Sequence, residues 1–267
     1  MFNLFIRDAS IMYKKKEVNY TDSLQRLDLA FNKSIANNLS IQITLNKTHY
    51  LNNFRKLNKQ INIKSKFVKK ITIHLTAFYH DLFANDRRTE LFVEKVNEIL
   101  KKNKNIVGIC VHPDHLVSWK HLKKLKNKNT YLAIEVTDKK AFYGNKISHL
   151  EGIFSKNSYL KLVIDTSHIK ELEKEKILTF NKFFKKFSKR IVEAQVSDFG
   201  NFYKDKMINT THSLLSIKKD SIIKRQIKKL HAKNKNINIV IEGLLPFGKI
   251  GDEMLKNEIS YLRNIIY

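Results

Sequence analysis

The sequence predicts an α/β protein: a single (β/α)8 TIM barrel, closed by eight parallel strands. Three observations carry this. Eight short apolar runs recur along the 267 residues. Segments rich in Lys, Glu and Leu, with helical periodicity, separate the runs. No Pro-, Gly- or Ser-rich linker divides the chain, so residues 1–267 read as one domain. Strict alternation of strand and helix argues for a parallel sheet. The runs lie about 34 residues apart, close to the unit length of a barrel of roughly 250 residues. Eight units favour closure over an open sheet.

The runs, in order, are FNLFIRD (2–8), LSIQITL (39–45), KITIHLT (70–76), IVGICVH (106–112), YLAIEVT (131–137), LKLVIDT (160–166), IVEAQVS (191–197) and INIVIEG (237–243). The clearest helix covers 87–104, with Leu91, Val93, Val96, Ile99 and Leu100 expected on one face. A second covers 21–38, with Thr21 or Asp22 as a possible cap. Both prolines, Pro113 and Pro246, follow a strand, where a loop is expected.

Composition narrows the class. With 42% hydrophobic residues the chain can bury a large core. Cys110 is the single cysteine, so no disulfide forms within the chain, which fits a reducing, cytoplasmic setting. No run approaches the ~18 to 20 apolar residues of a membrane span. The start, MFNLFIRDAS, lacks the features of a signal peptide. No membrane partner is expected. The sequence leaves a homo-oligomer open. The formal net charge is +26, from 51 Lys plus Arg against 25 Asp plus Glu. That balance suits a nucleic-acid partner. The ordinary explanation is a lysine bias of AT-rich coding, because Asn, Ile, Phe and Tyr are also plentiful and lysines on solvated helices need no ligand.

Polar residues gather at one end of the predicted strands. The third strand carries His74 and the fourth ends at His112, within VHPDH. The fifth ends in Glu135. The sixth ends in Asp165, with His168 just beyond. The seventh carries Gln195, with Asp198 beyond, and the eighth ends in Glu242. In a parallel barrel those ends form one face, and that face holds the active site. A lone strand-end Glu or His is ordinarily a solvated or capping group. Six successive strands doing the same point to a site. Two Glu, one Asp and one side-chain amide suit a hard or borderline divalent cation such as Mg²⁺ or Mn²⁺. The histidines add ligands for Zn²⁺ or Fe²⁺, or bind substrate oxygens. Lys204 is a candidate for a substrate phosphate, with a solvated lysine as the plainer reading. Tyr79, His80 and Trp119 are candidates to wall the pocket, although Trp119 equally packs a helix. Glu193 shares the inward face with Gln195 and lies deeper, so it needs a partner or a proton. There is no Gly-rich phosphate loop, CxxC pair, dinucleotide fingerprint or Ser/His/Asp arrangement.

The pieces ICVHPDH, LAIEV, LVIDTSH, AQVSD and IVIEG, in this order and spacing, resemble the xylose isomerase-like barrel superfamily. It includes sugar phosphate isomerases and epimerases, hydroxypyruvate isomerase, related dehydratases and endonuclease IV. Up to residue 70 the match is one of rhythm only. The isomerase branch implies one divalent metal held by Glu135, Asp165, Gln195 and Glu242. Gln at the third place is a variant of the hydroxypyruvate isomerase-like and dehydratase groups. The branch also implies Glu135 and Glu242 as the catalytic proton-transfer pair, working through an enediol. His74, His112, His168 and His212 would contact substrate. The substrate class implied is a small sugar, sugar phosphate or hydroxy-carbonyl compound.

Three rival readings remain. A dehydratase would use the same metal and glutamates. An endonuclease IV-like phosphodiesterase acting on abasic DNA would need three metals. For it, His74, His112, Glu135, Asp165, His168 and Glu242 are in place. Gln195 replaces a His, and INTTHSLLS (208–216) keeps His212 but lacks the Asp-x-His. The third is a non-enzymatic barrel that binds nucleic acid through its lysines.

Overall fold

The computed structural model describes residues 3–11, 23–76, 82–116, 118–125, 128–198, 212–246 and 248–266. The strands are β1 Asn3–Arg7, β2 Ser40–Asn46, β3 Ile71–Thr76, β4 Ile106–Val111, β5 Tyr131–Glu135, β6 Lys161–Asp165, β7 Ile191–Val196 and β8 Asn238–Ile241. Each falls inside its predicted run except β2, which runs one residue past it to Asn46. Neighbours pair in parallel from β1 to β8, and β8 pairs back on β1 with Phe5 opposite Val240. The sheet is therefore a closed barrel.

The helices are α1 Ser23–Ala36, α2 Lys47–Lys64, α3 Arg87–Lys102, α4 Trp119–Lys124 and α5 Ile147–Lys156. They continue as α6 Thr166–Lys174, α7 Phe180–Phe187, α8 Leu215–Lys218, α9 Ser221–Lys233 and α10 Lys249–Ile266. Among the described residues no helix is long and apolar enough to cross a membrane. Thr21 and Asp22 lie outside the described residues. Asp86 caps α3 by accepting from the Thr89 amide at 2.6 Å. One expectation on α3 is corrected. Leu91 is 39% exposed, and Phe92 packs in its place beside Val93, Val96, Ile99 and Leu100. At 3.6 residues per turn, 92, 96 and 99 form the stripe that 91 misses.

Apolar side chains of the strands' outer faces and of the helices form one continuous core, including Phe31, Tyr50, Phe92 and Phe183. The barrel interior is more polar. Gly108 on β4 sits opposite Tyr131 on β5, and a Cβ there would lie 2.1 Å from the Tyr131 ring. A side chain at 108 is excluded because Tyr131 fills that space. Pro113 opens a 3₁₀ turn after β4, and Pro246 follows β8, both in loops as expected.

Candidate active site

Glu135, the last residue of β5, is 1% exposed. Two histidines from the neighbouring strands face it. His74 Nε2 on β3 lies 3.7 Å from Oε2, and His112 Nε2, just past β4, lies 3.3 Å from Oε1. The two imidazoles stack at 5.0 Å between centroids. Burial pushes Glu135 up, but His112 and His74 outweigh it and hold the carboxyl well below its usual range. Burial holds His74 well below its usual value, helped by Arg7. His112 is raised because Glu135 outweighs its burial. At neutral pH this leaves Glu135 ionised, with His112 as its main charge partner, and the imidazoles would have to be neutral to join it on a metal. Cys110 Sγ contacts Glu135 Oε2 at 3.8 Å; burial pushes its thiol well up, so it is an inert group.

Asp165 ends β6 and starts α6. Its Oδ1 accepts from the Ser167 amide at 2.7 Å and the Ser167 hydroxyl at 2.8 Å, which caps the helix. Oδ2 is thereby turned the other way. It lies 3.2 Å from His168 Nε2 and 3.9 Å from His212 Nδ1. His212 Nδ1 is also 3.9 Å from Glu242 Oε2 and 2.9 Å from the Ser197 hydroxyl. Burial lowers the His212 pKa. A cleft of about 260 Å³ opens beside these groups, lined in part by Asp138, Lys139, Lys140, His168 and His212.

Arg7, at the C-terminal end of β1, joins the last two groups. It forms an ion pair with Glu242, and its Nη1 donates to Gln195 Oε1 at 3.5 Å. Gln195 in turn donates from Nε2 to Gln42 Oε1 at 3.5 Å, and Gln42 donates to Glu193 Oε1 at 2.7 Å. The Tyr131 hydroxyl donates to the other Glu193 oxygen at 2.9 Å and accepts from Asn238 at 2.9 Å. Glu193 thus has partners, and burial pushes its pKa up to about 7.

The expected quartet of metal donors is distributed over these contacts. Among the described residues, the close groups of three or more ligands are His74–His112–Glu135, His112–Asp114–His115 and Asp165–His168–His212. Each holds at most one carboxylate of the quartet, while Gln195 and Glu242 meet at Arg7. The donors nonetheless fit a divalent cation. Both His74 ring nitrogens, Asp165 Oδ2 and Glu242 Oε2 are buried without a hydrogen-bond partner. Buried polar atoms ordinarily have partners, and open valences of this kind at the strand ends suit an ion. His112, His168 and His212 lie with these groups. Trp119 is half-buried against the core, the packing reading. Lys204, Tyr79 and His80 lie outside the described residues. Asp198 pairs with Lys170 at 2.6 Å, away from those donors. Arg7, Ser167 and Ser197 were not singled out by the sequence reading. Arg7 had the same signal as Glu135 and Asp165, a polar residue at a strand's C-terminal end.

No protein-family model matches the chain, and no curated protein matches it by sequence. Solved structures do. A xylose isomerase domain protein from Alicyclobacillus acidocaldarius aligns over 100% of this chain and 98% of its own, with TM-score 0.66 and 9% identity. A family 2 AP endonuclease from Brucella melitensis aligns over 98% and 99%, with TM-score 0.60 and 10% identity. The 3-keto-D-glucoside 4-epimerase of E. coli aligns over 96% and 99%, with TM-score 0.52 and 12% identity. These are barrels of the group that the sequence resembles, and what they share with this chain is the fold.

Proposed function

We propose that the protein is a divalent-metal-dependent isomerase or epimerase of a small sugar, sugar phosphate or hydroxy-carbonyl compound. One observation carries this reading: buried side chains at the ends of β3, β6 and β8, each keeping an atom with no hydrogen bond, share the C-terminal mouth of the barrel with an ionised Glu135. Glu135, Asp165, Gln195 and Glu242 would hold the cation, with Arg7 withdrawing from the last two. His74 and His112 are further donors beside Glu135. The bound cation would supply a Lewis acid that polarises a carbonyl and acidifies the neighbouring C–H. Mn²⁺ or Mg²⁺ suits the oxygen donors, and the histidines extend the choice to Zn²⁺ or Fe²⁺.

In this reading the chain's own groups move the proton. Glu135 is ionised at neutral pH and accepts a proton from carbon; Glu242 returns one to the adjacent carbon or the opposite face. His168 and His212, beside the cleft, hold substrate oxygens. Lys139 and Lys140 line the same cleft together with Asp138 and Glu171, and Lys139 is paired with Glu171 at 3.5 Å and Glu175 at 3.0 Å, so the lining is balanced in charge and suits a polar substrate. A dehydratase would start from the same proton abstraction and then lose a β-hydroxyl.

A second reading is phosphodiester hydrolysis, favoured by the histidine-containing groups around Glu135 and Asp165. Both readings are tested by incubating the Mn²⁺-loaded protein in D₂O with a panel of aldoses, ketoses, their phosphates and hydroxypyruvate. Deuterium appearing beside the carbonyl, and lost in Glu135→Gln, is the expected result. Cleavage of an abasic oligonucleotide with no exchange into any sugar would overturn the isomerase reading in favour of the second.

A further inference from the structure

The two ends of the barrel differ in charge. The segments that follow the strands (8–22, 77–86, 112–118, 136–146, 197–214 and 242–248) hold ten Asp or Glu and eight Lys or Arg. The loops that lead into β2 through β8 (37–39, 65–70, 103–105, 125–130, 157–160, 188–190 and 234–237) hold nine Lys or Arg and no Asp or Glu. A general lysine bias would load both ends alike. Helix dipoles explain lysines in the last turns of helices, such as Lys101 and Lys102 on α3. They do not reach the loop lysines beyond.

Those loop lysines face solvent. Lys66, Lys69, Lys104, Lys128, Lys189 and Lys235 are exposed, and none forms an ion pair among the described residues. They come from five different loops, those into β3, β4, β5, β7 and β8, so the positive charge is spread over much of the face. Within it, between Lys66 and Lys69, Phe67 is 66% exposed. Phe142, after β5, is 70% exposed as well, so exposure alone does not single Phe67 out; its place among unpaired loop lysines is what suits it to stacking on a base.

We infer that the N-terminal face of the barrel binds single-stranded nucleic acid without sequence preference, through its phosphates and a base stacked on Phe67. Lysines act as point charges on phosphates and carry no base readout. Loop lysines spread over five separate strand entries match a polyanion that crosses the face, rather than one small anion. The site lies at the opposite end of the barrel from Glu135 and Asp165, and it does not rest on the proposed catalysis.

The test is fluorescence anisotropy of a labelled 30-nucleotide oligothymidylate with the full chain across a salt series. One variant carries Lys66→Glu, Lys69→Glu, Lys104→Glu and Lys235→Glu. Its control carries four reversals away from that face, Lys219→Glu, Lys224→Glu, Lys249→Glu and Lys256→Glu, so the net charge is the same. The expected result is a loss of 30-fold or more in the first variant and under fivefold in the control. The slope of log K against log salt should fall by about 3 in the first variant, at about 0.7 per phosphate contact. Phe67→Ala should weaken binding roughly 5- to 100-fold, the worth of one stacked base. Equal losses in both fourfold variants would overturn the proposal, since net charge alone would explain binding. So would no binding by the wild type at physiological salt, or binding to phosphatidylserine vesicles that the oligonucleotide fails to displace. Circular dichroism of each variant separates lost binding from lost fold.

Discussion

Two polar layers lie inside the same barrel, and they are built differently. The lower one joins Gln42, Glu193, Tyr131 and Asn238. Both Glu193 oxygens are taken, by Gln42 at 2.7 Å and Tyr131 at 2.9 Å. The upper one holds His74, Glu135, Asp165 and Glu242, where four buried side-chain atoms have no hydrogen-bond partner. A satisfied network fixes the interior, whereas an unsatisfied one is costly unless something binds there. The difference separates the satisfied Glu193 from the carboxylates of the proposed site within a few residues of one strand set. Gln195 is the link, because it donates downward to Gln42 and accepts upward from Arg7.

Mutations should break the two layers in different currencies. Glu135→Gln should lower turnover about 10²- to 10⁴-fold, the usual worth of a positioned acid or base, with little change in melting temperature. Full activity in this variant would remove Glu135 from the chemistry. Glu193→Gln should act on stability and its pH dependence. Folding raises the Glu193 pKa from 4.5 to about 7. Its contribution is therefore fully present below pH 4.5 and is lost as pH rises to about 7. Over that window the wild type should lose up to about 3 kcal/mol relative to Glu193→Gln, at about 1.4 kcal/mol per pK unit. Denaturant titrations at pH 4 and pH 8 measure it; parallel curves would mean Glu193 titrates normally.

Two smaller effects sharpen the contrast. Mn²⁺ at a hundred times its dissociation constant should stabilise the protein by about 2.7 kcal/mol. A chelator should reverse the shift, and Glu135→Ala should abolish it. Tyr131→Phe leaves Glu193 one donor short and should cost about 1–3 kcal/mol while keeping the Mn²⁺ shift. If Tyr131→Phe removed the metal response, the layers would be one unit.

The sequence made the fold legible because β-branched runs and helical stripes alternate without interruption. It made the upper layer legible in part, because parallel strands bring their C-terminal ends to one face. The alternation could not show that Arg7 turns inward and takes Glu242, since an arginine at a strand end also reads as a surface residue. Of the lower layer it showed that Glu193 lies inward and needs a partner or a proton, but not which groups meet it. Gln42 and Glu193 are 151 residues apart and meet across the barrel, a pairing set by closure rather than by local pattern. Leu91 failed for a simpler reason: adjacent apolar residues leave the phase of a helix stripe ambiguous until packing selects Phe92.

The central claim is that the upper layer binds a metal ion. Elemental analysis of protein purified without chelator, for wild type and Glu135→Ala, tests it directly. The account predicts about one equivalent of Mn, Mg, Zn or Fe in the wild type, or its uptake from added Mn²⁺, and loss of that equivalent in the variant. A wild type that takes up none, even with Mn²⁺ added, would contradict the account.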